Sequence, residues 1–468
     1  MRLEKHHITA PRDRVRVSQK LGFGVGAMVA VIAVNAVAGL SQLYLNVGLK
    51  LSPVLVGIVM MLPRLWDAFT DPAVGHLSDN TRSRWGRRIP YVFAGAIITG
   101  LTYMLLFSVP RGWGDMAMLV YFTVMSLLFF TGITIYSIPQ GALGLEMTPD
   151  YHERTRIFSY SAFFAGVGGL ALPWFYWLAN RPVFADEVEG LRWVGVGVGI
   201  ALMLCGLTCA LVCKEGKRDQ AMHQTKTKFW QSFSATLKNP SFVWLISIII
   251  LVAVGFNLVG GFGSYVTIYY LYGGDTAAAS TLMGVFGTVW AVTTLAGIYP
   301  MNWISARIGK RKTVMLFLMI MGVGNLSKVV CYNPTYPYLV LIPAVMLSGG
   351  MLVLFTLGAS MMADVCDEEE VRTGIRREGI YQASYGWWMK LGTALGPLVC
   401  GIILEATGFD ANLDTQPERS LYLIRAWDIL LPSFICFVAV YLLKKSPLTE
   451  ERAYEVKQIL AKRRREDA

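Results

Sequence analysis

Charged side chains are scarce in this chain of 468 residues, where Asp, Glu, Lys and Arg together make up 16%. A soluble domain carries nearer 25%, so a fully water-exposed surface is excluded. Histidine is rarer still, at 5 residues, and 7 scattered cysteines do not make a disulfide framework. Cys205, Cys209 and Cys213 share one helical face and could be read as a metal ladder. No histidine or further cysteine joins them, so small apolar packing residues are the expectation. The HExxH, GxSxG and phosphate-cradling P-loop patterns are all missing, which argues against an enzyme. The same gap excludes an ATP-driven pump unless a partner supplies nucleotide binding. Ten-residue stretches of alternating polarity are missing too, and with them a membrane β-barrel.

Hydrophobic length is abundant instead: 54% of the residues are apolar. A membrane span needs about 20 largely apolar residues. The apolar runs predict twelve helical spans, an all-α membrane protein. Six fall near 21–48, 53–79, 90–109, 116–146, 156–179 and 191–213. The other six fall near 241–272, 276–304, 313–331, 337–363, 379–407 and 424–443. A polar stretch divides them, which gives an N-terminal bundle over 1–213, a central loop over 214–240, a C-terminal bundle over 241–445 and a tail over 446–468. The chain also repeats itself. GHLSDNTRSRWGRR (75–88) precedes the third span and MNWISARIGKRK (301–312) precedes the ninth, each ending in a glycine and a basic cluster. Two six-helix halves with parallel repeats are the build of a carrier that works by alternating access.

The net charge of +11 does not point to nucleic acid, because of where it lies. Arg82, Arg84, Arg87 and Arg88 sit between spans two and three, and Lys214, Lys217, Arg218, Lys226, Lys228 and Lys238 between six and seven. Arg307, Lys310, Arg311 and Lys312 sit between eight and nine, whereas one opposite loop holds Arg111 alone and the one between Cys331 and Pro337 holds no basic residue. This asymmetry predicts cytoplasmic N- and C-termini, with the basic loops against anionic headgroups. The N-terminal segment leads into a span longer than a signal-peptide core, with no small-residue cleavage site, so it is expected to be retained. Short tails favour a bacterial cytoplasmic (plasma) membrane.

Three ionisable residues interrupt the second span: Arg64, Asp67 and Asp71. Each costs roughly 2.5–3.5 kcal/mol at a bilayer centre on insertion scales. Their i,i+3 and i,i+4 spacing puts all three on one face, which must look into protein or a wet cavity. One arginine cannot neutralise two carboxylates, so the face reads as a cation site rather than a closed ion-pair network. Lys390 is the other charge within a span, too far from either end to snorkel easily, and its expected partners are these aspartates.

Three segments carry a resemblance. They are Arg64-Leu-Trp-Asp67-Ala-Phe-Thr-Asp71-Pro72 with Gly75, Asp79, Arg82, Gly86 and Arg87 after it; Glu146-Met-Thr148-Pro-Asp150-Tyr-His-Glu153-Arg154-Thr155; and the run from Ala363 and Asp364 through Asp367, Glu370, Gly374, Arg376, Glu378 and Gly379 to Lys390. In these the chain resembles the major facilitator superfamily, and within it the melibiose-carrier-like glycoside–pentoside–hexuronide:cation symporters. The resemblance implies that Asp67 and Asp71 ligate the coupling cation, with Thr70 and Thr134 adding hydroxyl oxygens and Arg64 and Lys390 coupling cation to solute. Such oxygen ligands suit Na+, and the same carboxylates can carry H+. No other cofactor or metal is expected. Pro72 lacks an N–H, so the carbonyl of Ala68 could add a further oxygen.

A cytoplasmic gate is expected from Asp79, Arg87, Glu153 and Arg154 in one half and Asp364, Arg376 and Glu378 in the other. The solute site departs from the family. Where melibiose-type members hold sugar with two aspartates and an arginine, this chain has Val29, Ser137 and Ala162. Ser137, Tyr136, Tyr381, Trp387 and Trp388 remain as candidate solute contacts. The leading expectation is a cation-coupled symporter of a sugar or glycoside acting as a monomer. A carrier of a less polar solute such as a lysolipid, and a non-transporting membrane sensor, are the alternatives.

Overall fold

A computed structural model describes residues 13–215, 236–374, 378–413, 415–447 and 449–466. The chain divides into two compact units, Met1–His223 and Gln224–Ala468.

The first unit holds α1 (Val17–Gln42), α2 (Pro53–Asn80), α3 (Ile89–Leu106), α4 (Asp115–Glu146), α5 (Tyr151–Ala171), α6 (Trp174–Ala179) and α7 (Glu187–Val212). The second holds α8 (Pro240–Tyr265), α9 (Thr276–Ile308), α10 (Lys310–Cys331), α11 (Leu341–Thr373), α12 (Glu378–Ala406), α13 (Glu418–Lys445) and the tail helix α14 (Glu450–Glu466). Helix starts follow from local chemistry. Asp150, Asp186, Asn239 and Asp275 each accept first-turn amides, as at Glu153 N (2.8 Å) and Ala278 N (3.0 Å). Prolines open α2 and α8, where a missing N–H costs nothing.

Among the described residues, ten helices are long and apolar enough to cross a membrane. Two further spans complete the set. The fifth carries Glu153, Arg154 and Arg156 in α5 and continues through Pro173 into the short α6. The tenth runs from the apolar stretch Pro337–Gly350 to an acidic end at Asp364, Asp367, Glu368, Glu369 and Glu370. With these the protein is the twelve-helix membrane fold expected from the apolar runs.

The sequence repeat is also a packing repeat. In the first unit α1 packs on α5 and α7, α2 on α4, and α3 on α4 and α7. In the second α8 packs on α12 and α13, α9 on α11, and α10 on α11 and α13. Both leading helices, α1 and α8, end in a π-helical turn, Leu43–Gly48 and Val266–Leu271. With no hydrophobic drive between helices in lipid, small residues set how closely they approach. At the α3–α7 crossing a Cβ on Gly100 would meet the Gly199 carbonyl at 2.7 Å, so only glycine fits. The second unit's core gathers Phe242, Ile249, Val353, Met362, Tyr381 and Leu443.

Candidate functional site

The charged face of α2 meets α4. Helix α2 continues through Pro63 and Pro72, and Asp67 on it is only 8% exposed while Asp71 is part-buried. The hydroxyl of Thr134, itself buried on α4, lies 2.8 Å from Asp67 Oδ1 and 3.1 Å from Asp71 Oδ1. Three oxygens from two helices thus converge. A single hydroxyl proton serves one carboxylate at a time, so Thr134 brackets the pair without neutralising it. One turn earlier, Trp66 Nε1 donates to Thr131 Oγ1 at 3.0 Å, which fixes the register of α2 on α4.

The other expected members of this site are placed differently. Thr70 Oγ1 turns back to the Asp67 carbonyl at 3.3 Å, within its own helix. Arg64 Nη2 reaches the Val34 carbonyl of α1 at 3.4 Å, and its guanidinium lies over the Phe130 ring at 4.9 Å. It therefore ties α2 to α1 and α4 beside the carboxylates. Lys390 lies part-buried in α12, its carbonyl accepting from Thr393 Oγ1 at 2.9 Å.

Two of the candidate solute contacts lie in the interior of their units. Tyr136 is fully buried, and its hydroxyl donates to the Gly26 carbonyl at 2.9 Å, locking α4 to α1. Tyr381 is 1% exposed, accepts from Asn239 Nδ2 at 3.3 Å and stands edge-on to Phe242. Neither ring presents a surface to a solute, because both are spent on the interior of their units. Ser137 is part-buried on α4, and Trp387 and Trp388 are part-buried in a T-shaped pair with centroids 4.9 Å apart. The cysteine face is packing, with Cys209 and Cys213 buried and their sulfurs 3.9 Å apart. Among the described residues no cluster of three or more His, Cys, Asp or Glu is arranged for a metal.

The gate charges find partners inside their own units. Asp79 is held by Arg88, which also donates to Ser78 Oγ at 2.8 Å and reaches Glu146 Oε1 at 3.2 Å. Arg87 Nη2 instead donates to Glu146 Oε1 at 2.8 Å. Glu153, expected to face the opposite half, is 1% exposed and holds Lys20 Nζ at 2.5 Å, the Val15 amide at 3.0 Å and Arg156 Nη1 at 3.2 Å. Its charge is consumed in anchoring α5 to the start of α1. Arg154 Nη2 donates to the Thr148 carbonyl at 3.3 Å. Asp364 is buried and bound by Lys310 at 2.7 Å and Lys457 at 3.1 Å. Hydrogen bonding to Asp364 raises the Lys457 ammonium above its ordinary range. Arg376 and the Glu378 side chain lie outside the described residues.

The family model for MFS/sugar transport proteins matches residues 22–450. The chain belongs to that family. Within it the chain is a cation symporter of the major facilitator type, in the glycoside–pentoside–hexuronide:cation group. A glucuronide carrier protein homolog of Escherichia coli (strain K12) is 24% identical over 94% of this chain and 92% of that one. Sodium-dependent lysophosphatidylcholine symporter 1 of Xenopus tropicalis is 23% identical, covering 96% of this chain and 90% of that one. The crystal structure of a D-xylose–proton symporter matches in fold, with a TM-score of 0.69 at 14% identity over 93% of this chain and 98% of that one.

Sequence reasoning missed two features of this family member. Lys328 and Asp428 form a buried ion pair at 3.0 Å between α10 and α13, and Tyr332 Oη donates to Asp428 Oδ2 at 2.5 Å. The signal was available, since both charges fall inside expected spans and each implies a partner. The second is Glu215, just past α7, whose carboxylate accepts the Arg87 amide at 2.8 Å, the Ile89 amide at 3.0 Å and the Arg88 amide. It caps the start of α3 and positions both arginines. Gly86 permits this approach, because its φ is +105° and a Cβ there would sit 2.6 Å from the Glu215 carboxyl carbon. Replacing Gly86 by Ala is expected to cost about 1–3 kcal/mol through backbone strain and displacement of Glu215. Faster amide exchange at Arg88 and Ile89 in Gly86→Ala and Glu215→Gln checks this; unchanged exchange in both variants counts against the cap.

Proposed function

We propose that this cation symporter carries a sugar or glycoside together with Na+ or H+ by alternating access. The observation that carries the reading is the convergence of Asp67, Asp71 and Thr134 oxygens in the interior of the first unit. Two carboxylates brought to one hydroxyl offer hard oxygen ligands that suit a monovalent cation, and the same carboxylates can carry a proton. Thr70 joins the ligands by turning its hydroxyl from the Asp67 carbonyl. Arg64 and Lys390 link cation occupancy to the solute, which Ser137, Trp387 and Trp388 contact. The halves 1–213 and 241–445 rock about this site, joined by the loop 214–240, with the tail 446–468 and both termini cytoplasmic. The protein works as a monomer in a plasma membrane, a bacterial cytoplasmic membrane in the first instance, and does no enzymatic chemistry.

A second reading keeps the mechanism and exchanges the cargo for a lysolipid or another weakly polar solute. It is favoured by Val29, Ser137 and Ala162, none of which offers a charged donor or acceptor for a hydroxylated ring. The lysophosphatidylcholine symporter named above shows that a relative with such a cargo exists. Counterflow of labelled sugars, uronides and lysolipids in proteoliposomes, with and without Na+, separates the two. Sugar or uronide exchange stimulated by Na+ or by a proton gradient supports the first reading, and lysolipid exchange alone supports the second. Binding without exchange of any solute would leave only a sensor.

A further inference from the structure

The two repeated basic loops end in different electrostatic company. In the first unit Arg87 and Arg88 face three carboxylates, those of Asp79, Glu146 and Glu215. In the second, Lys310 and Arg311 open α10, but the last turn of α9 before them, Ser305-Ala306-Arg307-Ile308, has no acid where α2 offers Asp79. A third cation, Lys457, is brought in by the tail helix. That helix is seated by Val456 and Leu460, both buried, and by Arg463 Nη1 on the Val371 carbonyl at 3.2 Å.

A cavity of about 360 Å³ opens at this point, and Ser305, Lys310, Arg311, Asp364, Tyr454 and Lys457 line it. Among the described residues Asp364 is the sole carboxylate in the lining, and each of its oxygens already holds a lysine. Each ammonium has three N–H donors, so both lysines retain donors beyond Asp364. Arg311 has five and uses Nε on the Leu443 carbonyl at 2.8 Å and Nη2 on the Lys444 carbonyl at 2.6 Å. The lining thus carries an excess of positive charge and unspent donors around a space far larger than a monatomic ion.

We propose that this cavity binds a phosphate group, supplying from outside the negative charge that the first unit supplies from its own side chains. An anionic lipid headgroup is the source we favour. The site belongs to a membrane protein, Tyr454 stands exposed at its edge, and basic pockets beside spans take such headgroups. Free phosphate offers the same oxygens and is distinguished by experiment.

The test uses purified full-length protein and does not depend on transport. Native mass spectrometry measures retention of phosphatidylglycerol against phosphatidylcholine from mixed vesicles, with and without inorganic phosphate. The wild type is expected to retain phosphatidylglycerol selectively. Ser305→Asp and Ala306→Asp, which put a carboxylate where the first unit has one, should each lower retention about fivefold to tenfold. Lys312→Asp, outside the cavity lining, should leave retention unchanged. Displacement of the lipid by millimolar phosphate identifies free phosphate as the ligand and keeps the site. Equal retention of both lipids with no thermal stabilisation by phosphate overturns the proposal. So does wild-type retention in both acid variants, or equal loss in Lys312→Asp, which would reveal a bulk charge effect.

Discussion

Asp71→Asn should leave the protein folded and inserted but unable to concentrate solute against a gradient. The substitution keeps the shape of the side chain and an oxygen for the Thr134 hydroxyl, 3.1 Å away. It removes one of the two charges that the coupling cation is proposed to balance. Removing one partner of a buried charge interaction costs on the order of 3 kcal/mol, near a hundredfold in cation affinity. Accumulation in vesicles under an imposed Na+ or proton gradient should therefore fall to equilibration. Folding should not suffer, because two carboxylates sharing one hydroxyl repel each other when no cation is present. Thr134→Val is the milder companion, losing one neutral ligand worth about 1 kcal/mol, so its cation dependence should shift to higher concentration with accumulation retained. Should Asp71→Asn still concentrate solute, the coupling site lies elsewhere.

The helices were legible because lipid leaves the backbone no alternative: a run of about 20 apolar residues must satisfy its own hydrogen bonds. Asp67 and Asp71 were legible for a related reason, since intramembrane carboxylates on one helical face demand an inward partner, whereas Thr134 was named only through the family resemblance. Partner choice among loop charges was not legible. Arg87 and Arg88 are adjacent in sequence, and only the turn enforced at Gly86 and capped by Glu215 decides that Arg88 reaches Asp79 while Arg87 turns to Glu146. Glu153 looked like a solvated gate charge because nothing local shows that Lys20 and Val15 close over it. Tyr136 and Tyr381 illustrate the same limit for aromatics. A tyrosine in a span can face a solute path or the interior, and periodicity in an apolar helix does not say which.

Breaking the Lys328–Asp428 pair should be the most destabilising change in the second unit. Lys328 is 2% exposed and Asp428 is fully buried, with both carboxylate oxygens within 3.1 Å of Nζ. Asp428→Asn takes from the buried Lys328 ammonium the carboxylate that holds it, at an expected cost of about 3–5 kcal/mol. Tyr332→Phe removes only the hydroxyl bonded to the carboxylate and should cost about 1.5–3 kcal/mol. The double change Lys328→Met with Asp428→Leu removes both charges and all the desolvation they suffer. It should be close to neutral, or more stable than the wild type by up to about 4 kcal/mol. Thermal unfolding of the purified proteins, arranged as a double-mutant cycle, gives the coupling directly. The pair joins α10 to α13, helices that supply none of the proposed cation ligands, so the double variant should also keep gradient-driven accumulation. A stable double variant that no longer accumulates solute would mean that the pair takes part in the transport cycle rather than pinning two helices together.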